Sequence, residues 1–238
     1  MKLASLPQRR DGRLVVVSTD QAWYADADHI VPTLQAALDD WDRQAPLLDT
    51  LFTELEHAAI PRRRFHEREA CAPLPRAFRR TADGEDRPGD DLASGRSDVA
   101  EAGIASSIEL CVVTGEVPHG AGPAEARAAV RLVGLVHDLG AGALSPLLAT
   151  PEFLEREGLV LHVERGGKVA ANNDVAPVDF GALVAELAAD RRLGPGTIVG
   201  SAPLAQLPPL AEGETIRIEL RDARGKSLLG AIERTVRA

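Results

Sequence analysis

Apolar and polar positions alternate with unusual clarity in two stretches of this chain. In Ile108–Pro118, Ile108, Leu110 and Val112 fall on one face of an extended strand, and Glu109, Cys111 and Val113 on the other. Both faces are apolar apart from one carboxylate. The run Val130–Asp138 reads as a second strand, with Asp138 on the face of Val130, Leu132, Gly134 and Val136. Each predicted strand thus carries one acid on an otherwise apolar face.

The remaining pattern predicts a β-rich chain with a few helices. Lys2–Leu6, Arg13–Ser18 and Ala22–Ala25 read as short strands, with Asp11-Gly12 as a turn between the first two. Pro32 suits a first helical position ahead of the stripe Leu34, Ala37, Leu38 and Trp41. Pro46 is expected to open a second helix with the stripe Leu47, Leu48, Leu51, Leu55 and Ala58. The prolines of Cys71–Phe78 predict an extended segment, and the polar stretch 83–100 has the composition of a mobile loop. Pro123 opens a short Ala-rich helix, and Gly140–Ala143 reads as a flexible turn. Thr150 is expected to cap a helical turn over Pro151–Glu157. A hairpin around Gly166-Gly167, a helix over Asp179–Ala189, a short strand at Ile198–Gly200 and two closing strands complete the pattern.

Composition narrows the function. Hydrophobic residues make up 45% and aromatics 3%, so the core is built of Leu, Val, Ala and Ile. A net charge of −9 without a basic, aromatic-rich stripe argues against a nucleic-acid partner, and Arg62-Arg63-Arg64 reads as a solvated linker. No apolar run is long enough to span a bilayer. Two cysteines, Cys71 and Cys111, form no Cys-x-x-Cys pair, and with no signal peptide this points to the cytoplasm.

The two strand acids are the candidate chemistry. A buried carboxylate is costly unless it meets a cation, a set of donors, a metal or a proton. Glu109 and Asp138 could share one cleft; alternatively, Glu109 is a salt-bridged core acid and Asp138 a strand-end turn former. His137 is either a helper group or a satisfied strand-end histidine. Gly194–Ser201 clusters glycines whose backbone could approach an anion, or which mark a tight bend.

Several segments together resemble the fumarylacetoacetate hydrolase family in a divergent, shortened bacterial form. They are Met1–Leu6, Asp11–Ser18, Pro32–Trp41, Pro73–Ala77, Glu109–Pro118, Val130–Asp138, Gly196–Ser201 and Thr215–Glu219, in the family's order along nearly the whole chain. The resemblance implies an α+β fold, a β-rich mixed roll, with a β-unit and helical pair over 1–70 and the family's C-terminal domain over 71–238. It also implies a homodimer and a divalent metal held by clustered acids. Residue by residue, the family's Glu-x-Glu falls on Ser107-Ile108-Glu109, so Ser107 stands in place of one ligand. Asp83, Glu109 and Asp138 would be the remaining ligands of an incomplete, weak site for Mg2+, Mn2+ or Ca2+, with no cofactor as the alternative. The catalytic His would fall near Asp90, the segment bearing the catalytic Lys after Asp138 is deleted, and Gly200-Ser201 occupies the substrate strand.

The reading favoured on this basis is a repurposed enzyme acting on an oxo-acid, β-dicarbonyl or polyketide-like small molecule. Glu109, Asp138, His137 and Asp90 would be its candidate catalytic groups. The alternatives are a pseudoenzyme serving as scaffold or small-molecule binder, and a residual metal-dependent C–C hydrolase or decarboxylase.

Overall fold

The computed structural model describes every residue except 81–85, 88–95, 100–102, 104, 140, 156 and 238, and only the backbone at 80, 86–87, 96–99 and 141. The strands are β1 (Lys2–Leu6), β2 (Arg13–Val17), β3 (Trp23–Asp26), β4 (Arg63–Arg64), β5 (Arg79–Arg80), β6 (Asp86–Arg87), β7 (Arg96–Val99), β8 (Ser106–Thr114) and β9 (Val130–Leu139). They continue as β10 (Ala141–Leu144), β11 (Leu147–Ala149), β12 (Val160–Arg165), β13 (Lys168–Asp174), β14 (Ile198–Gly200), β15 (Ala205–Leu207), β16 (Thr215–Arg221) and β17 (Ser227–Val236). The helices are α1 (Leu34–Asp39), α2 (Trp41–Glu56), α3 (Pro123–Ala128) and α4 (Phe180–Leu187). The α+β, β-rich fold expected from the sequence is the fold observed.

Two sheets organise the molecule. The larger runs β4-β3-β2-β1-β11-β9-β8-β14-β5-β6, with β10 paired to β9 and β15 to β8; the smaller runs β13-β12-β16-β17-β7. Pairing is antiparallel except for β14 with β5 and β17 with β7. Because β1 pairs with β11, placing Leu3 opposite Leu148, the N-terminal strands continue the central sheet.

The alternation along β8 separates two cores. Ile108, Leu110 and Val112 pack with Val133 and Leu135 of β9, Phe180 and Val184 of α4, and Ile216 and Ile218 of the smaller sheet. Cys111 and Val113 pack on the other side with Leu132 and Val136, Leu3 and Leu14, and Leu34, Leu48 and Leu55 of the helical pair. Each such side chain contributes about 1.5–3 kcal/mol by leaving water, so a one-residue slip of β8 would forfeit both cores at once.

Several local expectations change. Pro46 lies inside α2 and does not open it. The helix instead starts at Trp41, whose ring is buried, and loses only the one backbone bond Pro46 cannot donate. Leu48, Leu51 and Leu55 form its buried face; Leu47 is exposed, and Ala58 lies past the helix end at positive φ. Pro32 precedes the cap of α1, where the Thr33 hydroxyl accepts from Ala36 N–H. The Thr150 hydroxyl does not cap the short 3-10 turn Pro151–Phe153, because it accepts from the N-terminal ammonium at 2.6 Å and turns to Glu152. Ala141–Leu144 is a strand of a hairpin with β9. Within the stretch read as a loop, β6 pairs with β5 and β7 with β17; the rest lies outside the described residues.

Candidate functional site

β8 and β9 place Ser107 directly opposite Asp138 and Glu109 opposite Val136. The acids are therefore diagonal neighbours on one face, the face of Cys111 and Val113. Next to β8 lies β14, with Gly200 opposite Cys111 and Ile198 opposite Val113. Beyond it lies β5, with Arg79 alongside Ile198. The sheet order thus sets Arg79 two strands from Glu109 and three from Asp138, and only a long side chain crossing β14 can reach both.

Arg79 makes that crossing. Its Nη2 donates to Glu109 Oε2 at 2.8 Å and its Nη1 to Asp138 Oδ2 at 2.8 Å. The position of the Glu109 carboxylate depends on Gly200: a Cβ there would stand 2.2 Å from Glu109 Oε2 but 3.9 Å from Arg79 Nη2. The other Glu109 oxygen accepts from the Ser107 hydroxyl at 3.2 Å. The centre is almost closed to water, with side-chain exposures of 3% for Arg79, 6% for Glu109 and 14% for Asp138.

Electrostatics fix the protonation of the guanidinium. Burial opposes its charge, but the two carboxylates outweigh burial and raise Arg79 above its ordinary range. Its Nε is buried with no partner among the described residues. Beneath the centre, burial pushes the Cys111 thiol up to about 12, which keeps it protonated.

These residues do not fit a divalent ion. A hard cation needs a shell of oxygen acceptors with free lone pairs. Here the acids are turned to N–H donors, and the position expected to lack a ligand, Ser107, supplies a further donor. A guanidinium at 2.8 Å from both acids would also repel a dication. Among the described residues, no group of three or more His, Cys, Asp or Glu side chains could hold a metal.

The other predicted site residues divide. His137 lies on the opposite face of β9 from Asp138, fully buried, and neither ring nitrogen has a hydrogen-bond partner among the described residues. Burial, with buried Arg234 nearby, lowers it to about 3 although Asp138 pulls the other way, so the ring is neutral at pH 7. The Ser201 hydroxyl donates to the Ala202 carbonyl at 2.7 Å. Gly200 adjoins the centre as a clearance. Asp83 and Asp90 lie outside the described residues.

Arg79 is the residue that sequence reasoning did not single out. The only signal was indirect: a buried Glu109 demands a cation, but nothing local distinguishes Arg79 from Arg76 or Arg80. On the other face of the sheet, a cavity of about 550 Å3 is lined by Leu110, Val112, Val133, Leu154, Val178 and Phe180. Arg127, paired with Asp179 at 2.7 Å, also lines it.

Comparison with known proteins agrees with this architecture. Residues 1–76 match the fumarylacetoacetase N-terminal domain 2 family. The fold is similar to maleylpyruvate hydrolase from Sphingobium sp. SYK-6, at TM-score 0.76 and 16% identity over 100% of this chain and 99% of that one. The same enzyme in complex with manganese(II) and pyruvate aligns at TM-score 0.75 and 16% identity, with the same coverage. A fumarylacetoacetate hydrolase from psychrophilic Exiguobacterium antarcticum aligns at 0.73 and 12%, over 100% of this chain and 99% of that one. No curated protein sequence matches the chain. The N-terminal segment is similar to the fumarylacetoacetase N-terminal domain 2 family, and the fold along the whole length is that of the fumarylacetoacetate hydrolase-type structures it aligns with.

Proposed function

We propose that this chain is a metal-independent member of the family whose catalytic centre has been retired: a scaffold or small-molecule binder and not a divalent-metal C–C hydrolase or decarboxylase. The observation that carries the reading is Arg79 bonded at 2.8 Å to both Glu109 and Asp138. In a relative solved with manganese(II) and pyruvate, a metal is available to meet an oxo-acid. In this chain the two acids spend their charge on an internal cation, and the three side chains together carry a net charge of −1, which opposes binding of a carboxylate substrate there. The apolar cavity of about 550 Å3 on the far face falls in the size range of small-molecule sites and supports a binding role.

The test is calorimetric titration of the purified protein with Mn2+ and Mg2+, beside an assay of acylpyruvate and β-dicarbonyl cleavage with and without chelator. The expected result is neither saturable metal binding nor chelator-sensitive turnover. Metal-dependent turnover abolished by Glu109→Gln would overturn the reading. A second reading, a repurposed enzyme acting on a small oxo-acid or polyketide-like molecule without metal, is favoured by one observation: Asp138, at 14%, is the most exposed side chain of the three. It predicts a product from such a substrate that Asp138→Asn changes or abolishes. We also propose, from the family likeness, a cytoplasmic homodimer, which light scattering would test.

A further inference from the structure

The cavity behind the central sheet has a chemistry of its own. We infer that it is a binding site for an uncharged, largely apolar molecule bearing one acceptor oxygen, a ketone or ester in chemical class, with Arg127 as the donor to that oxygen. The inference rests on the reading proposed above, that this chain binds a small molecule away from the acid centre.

The walls set the apolar part of the ligand. Leu110 and Val112 of β8 and Val133 of β9 line the cavity from the sheet face turned away from Glu109. Leu154, Val178 and Phe180 line it from the segments packed over that face. At about 550 Å3 it has the volume of a small-molecule site, and an apolar body gains by leaving water for such walls. Close approach of α3 and α4 shapes the rim. A Cβ at Gly181 would stand 2.7 Å from the Pro123 carbonyl oxygen, 3.0 Å from Arg127 Cβ and 3.1 Å from Arg127 Nε. Without that Cβ, Arg127 lies directly over α4 where it borders the cavity.

The rim sets the polar part. Arg127 Nη2 donates to Asp179 Oδ1 at 2.7 Å, and the same oxygen accepts the Ala182 N–H at 3.1 Å as the cap of α4. Asp179 is thus fixed by the helix and steadies the guanidinium. A guanidinium carries five N–H groups, and this is the one hydrogen bond that the Arg127 side chain makes among the described residues. Its unspent donors favour a ligand with an acceptor. A carboxylate head is opposed, because Asp179 already meets the charge of Arg127, and the exposed Glu155 and Glu157 add −2 to the described rim. An ammonium head is opposed because it has no lone pair for Arg127 to donate to. A neutral carbonyl accepts a hydrogen bond and brings no charge to the rim. Binding makes and breaks no covalent bond.

The experiment titrates the full, methyl-labelled chain by NMR at pH 7.5 with benzylacetone, phenylbutyrate, phenylbutylamine and butylbenzene, which share one apolar body and differ in the head. Saturable shifts are expected at the methyls of Leu110, Val112 and Val133, with benzylacetone bound at least tenfold more tightly than phenylbutyrate or phenylbutylamine. Arg127→Met should weaken benzylacetone about fivefold, the worth of one hydrogen bond, and leave butylbenzene unchanged. Glu155→Gln/Glu157→Gln should strengthen phenylbutyrate and leave benzylacetone unchanged. Val178→Trp, at a half-buried position of the lining, should abolish the shifts; should it not fold, Ala176→Trp, at an exposed position of the same lining, takes its place. Absence of saturable shifts with benzylacetone overturns the inference and leaves the proposed function standing as a metal-free scaffold. Phenylbutyrate or phenylbutylamine bound as tightly as benzylacetone, or an Arg127→Met variant that weakens benzylacetone and butylbenzene alike, also overturns it. Chelator-sensitive turnover beside these shifts overturns the proposed function and leaves the cavity assignment standing.

Discussion

Replacing Arg79 by methionine tests whether the buried ion triad holds the central sheet together. The substitution keeps much of the apolar stem and removes two charge-assisted hydrogen bonds of 2.8 Å. At an effective dielectric of about 20, unit charges about 4 Å apart interact by about 4 kcal/mol, and desolvation of the partners cancels a large part of that. Truncating one member is a different matter. It leaves Glu109 at 6% side-chain exposure with only Ser107 to bond it, and breaking a buried pair in this way costs about 3–5 kcal/mol. The assay is urea unfolding at pH 7.5, with equal m values as the check that both proteins lose the same structure. The deficit should shrink as the pH is lowered towards the carboxylate range, because a buried acid without its cation escapes the penalty by taking up a proton. Arg79→Met/Glu109→Leu should recover at least half of the loss, since an apolar pair needs no partner. A single variant within about 1 kcal/mol of wild type, with a deficit independent of pH, would refute the reasoning.

Other parts of the centre make their own predictions. Gly200→Ala drives a Cβ to 2.2 Å from Glu109 Oε2; it should cost about 1–3 kcal/mol in urea unfolding, the range for overpacking, and a neutral result would show that Glu109 is not held where it is placed. His137 has a folded-state value lowered to about 3, so between there and the unfolded value of about 6.5 the unfolded chain binds more protons and stability falls as pH falls. From pH 7.5 to 4.5 this amounts to about 2.5 kcal/mol; His137→Leu should flatten the profile by that amount, and an unchanged profile would count against a sealed neutral ring. Cys111 is fully buried, with its thiol raised to about 12, and should react with a disulfide reagent only after unfolding; Cys71, half-buried and bonded to the Ser5 carbonyl, should be the thiol that reacts first in the native protein.

Local periodicity carried most of the fold. The alternation in β8 assigned Ile108, Leu110 and Val112 to one core and Cys111 and Val113 to the other, and the structure keeps that division. Alternation also set the face of each acid within its own strand, while their placement on one shared face needed the register of β8 and β9. What the pattern could not supply was partnership across distant segments. Arg79 lies 30 residues before Glu109 and 59 before Asp138, and its role depends on the order β9-β8-β14-β5, which no local window contains. The position of α2 was misjudged because a proline is a common first residue and only the burial of Trp41 moves the helix start upstream. Alternation put His137 on the strand face opposite Asp138, but only the packed structure shows that its ring nitrogens are buried there without a partner among the described residues.

Two donors at this centre act in the same direction. A ligand set for a hard cation consists of acceptors; Ser107 and Arg79 both present donors to Glu109. Here the charge that offsets the two acids is supplied by the chain, through a residue that reaches across β14 to a Glu109 carboxylate for which Gly200 leaves room. The centre thereby keeps the electrostatic support that two neighbouring acids need, while its lone pairs are withdrawn from chemistry. A sheet that buries both acids and also supplies their cation makes each of the three side chains a structural requirement of the other two, which is why truncating any one of them should cost more than the net worth of its bonds.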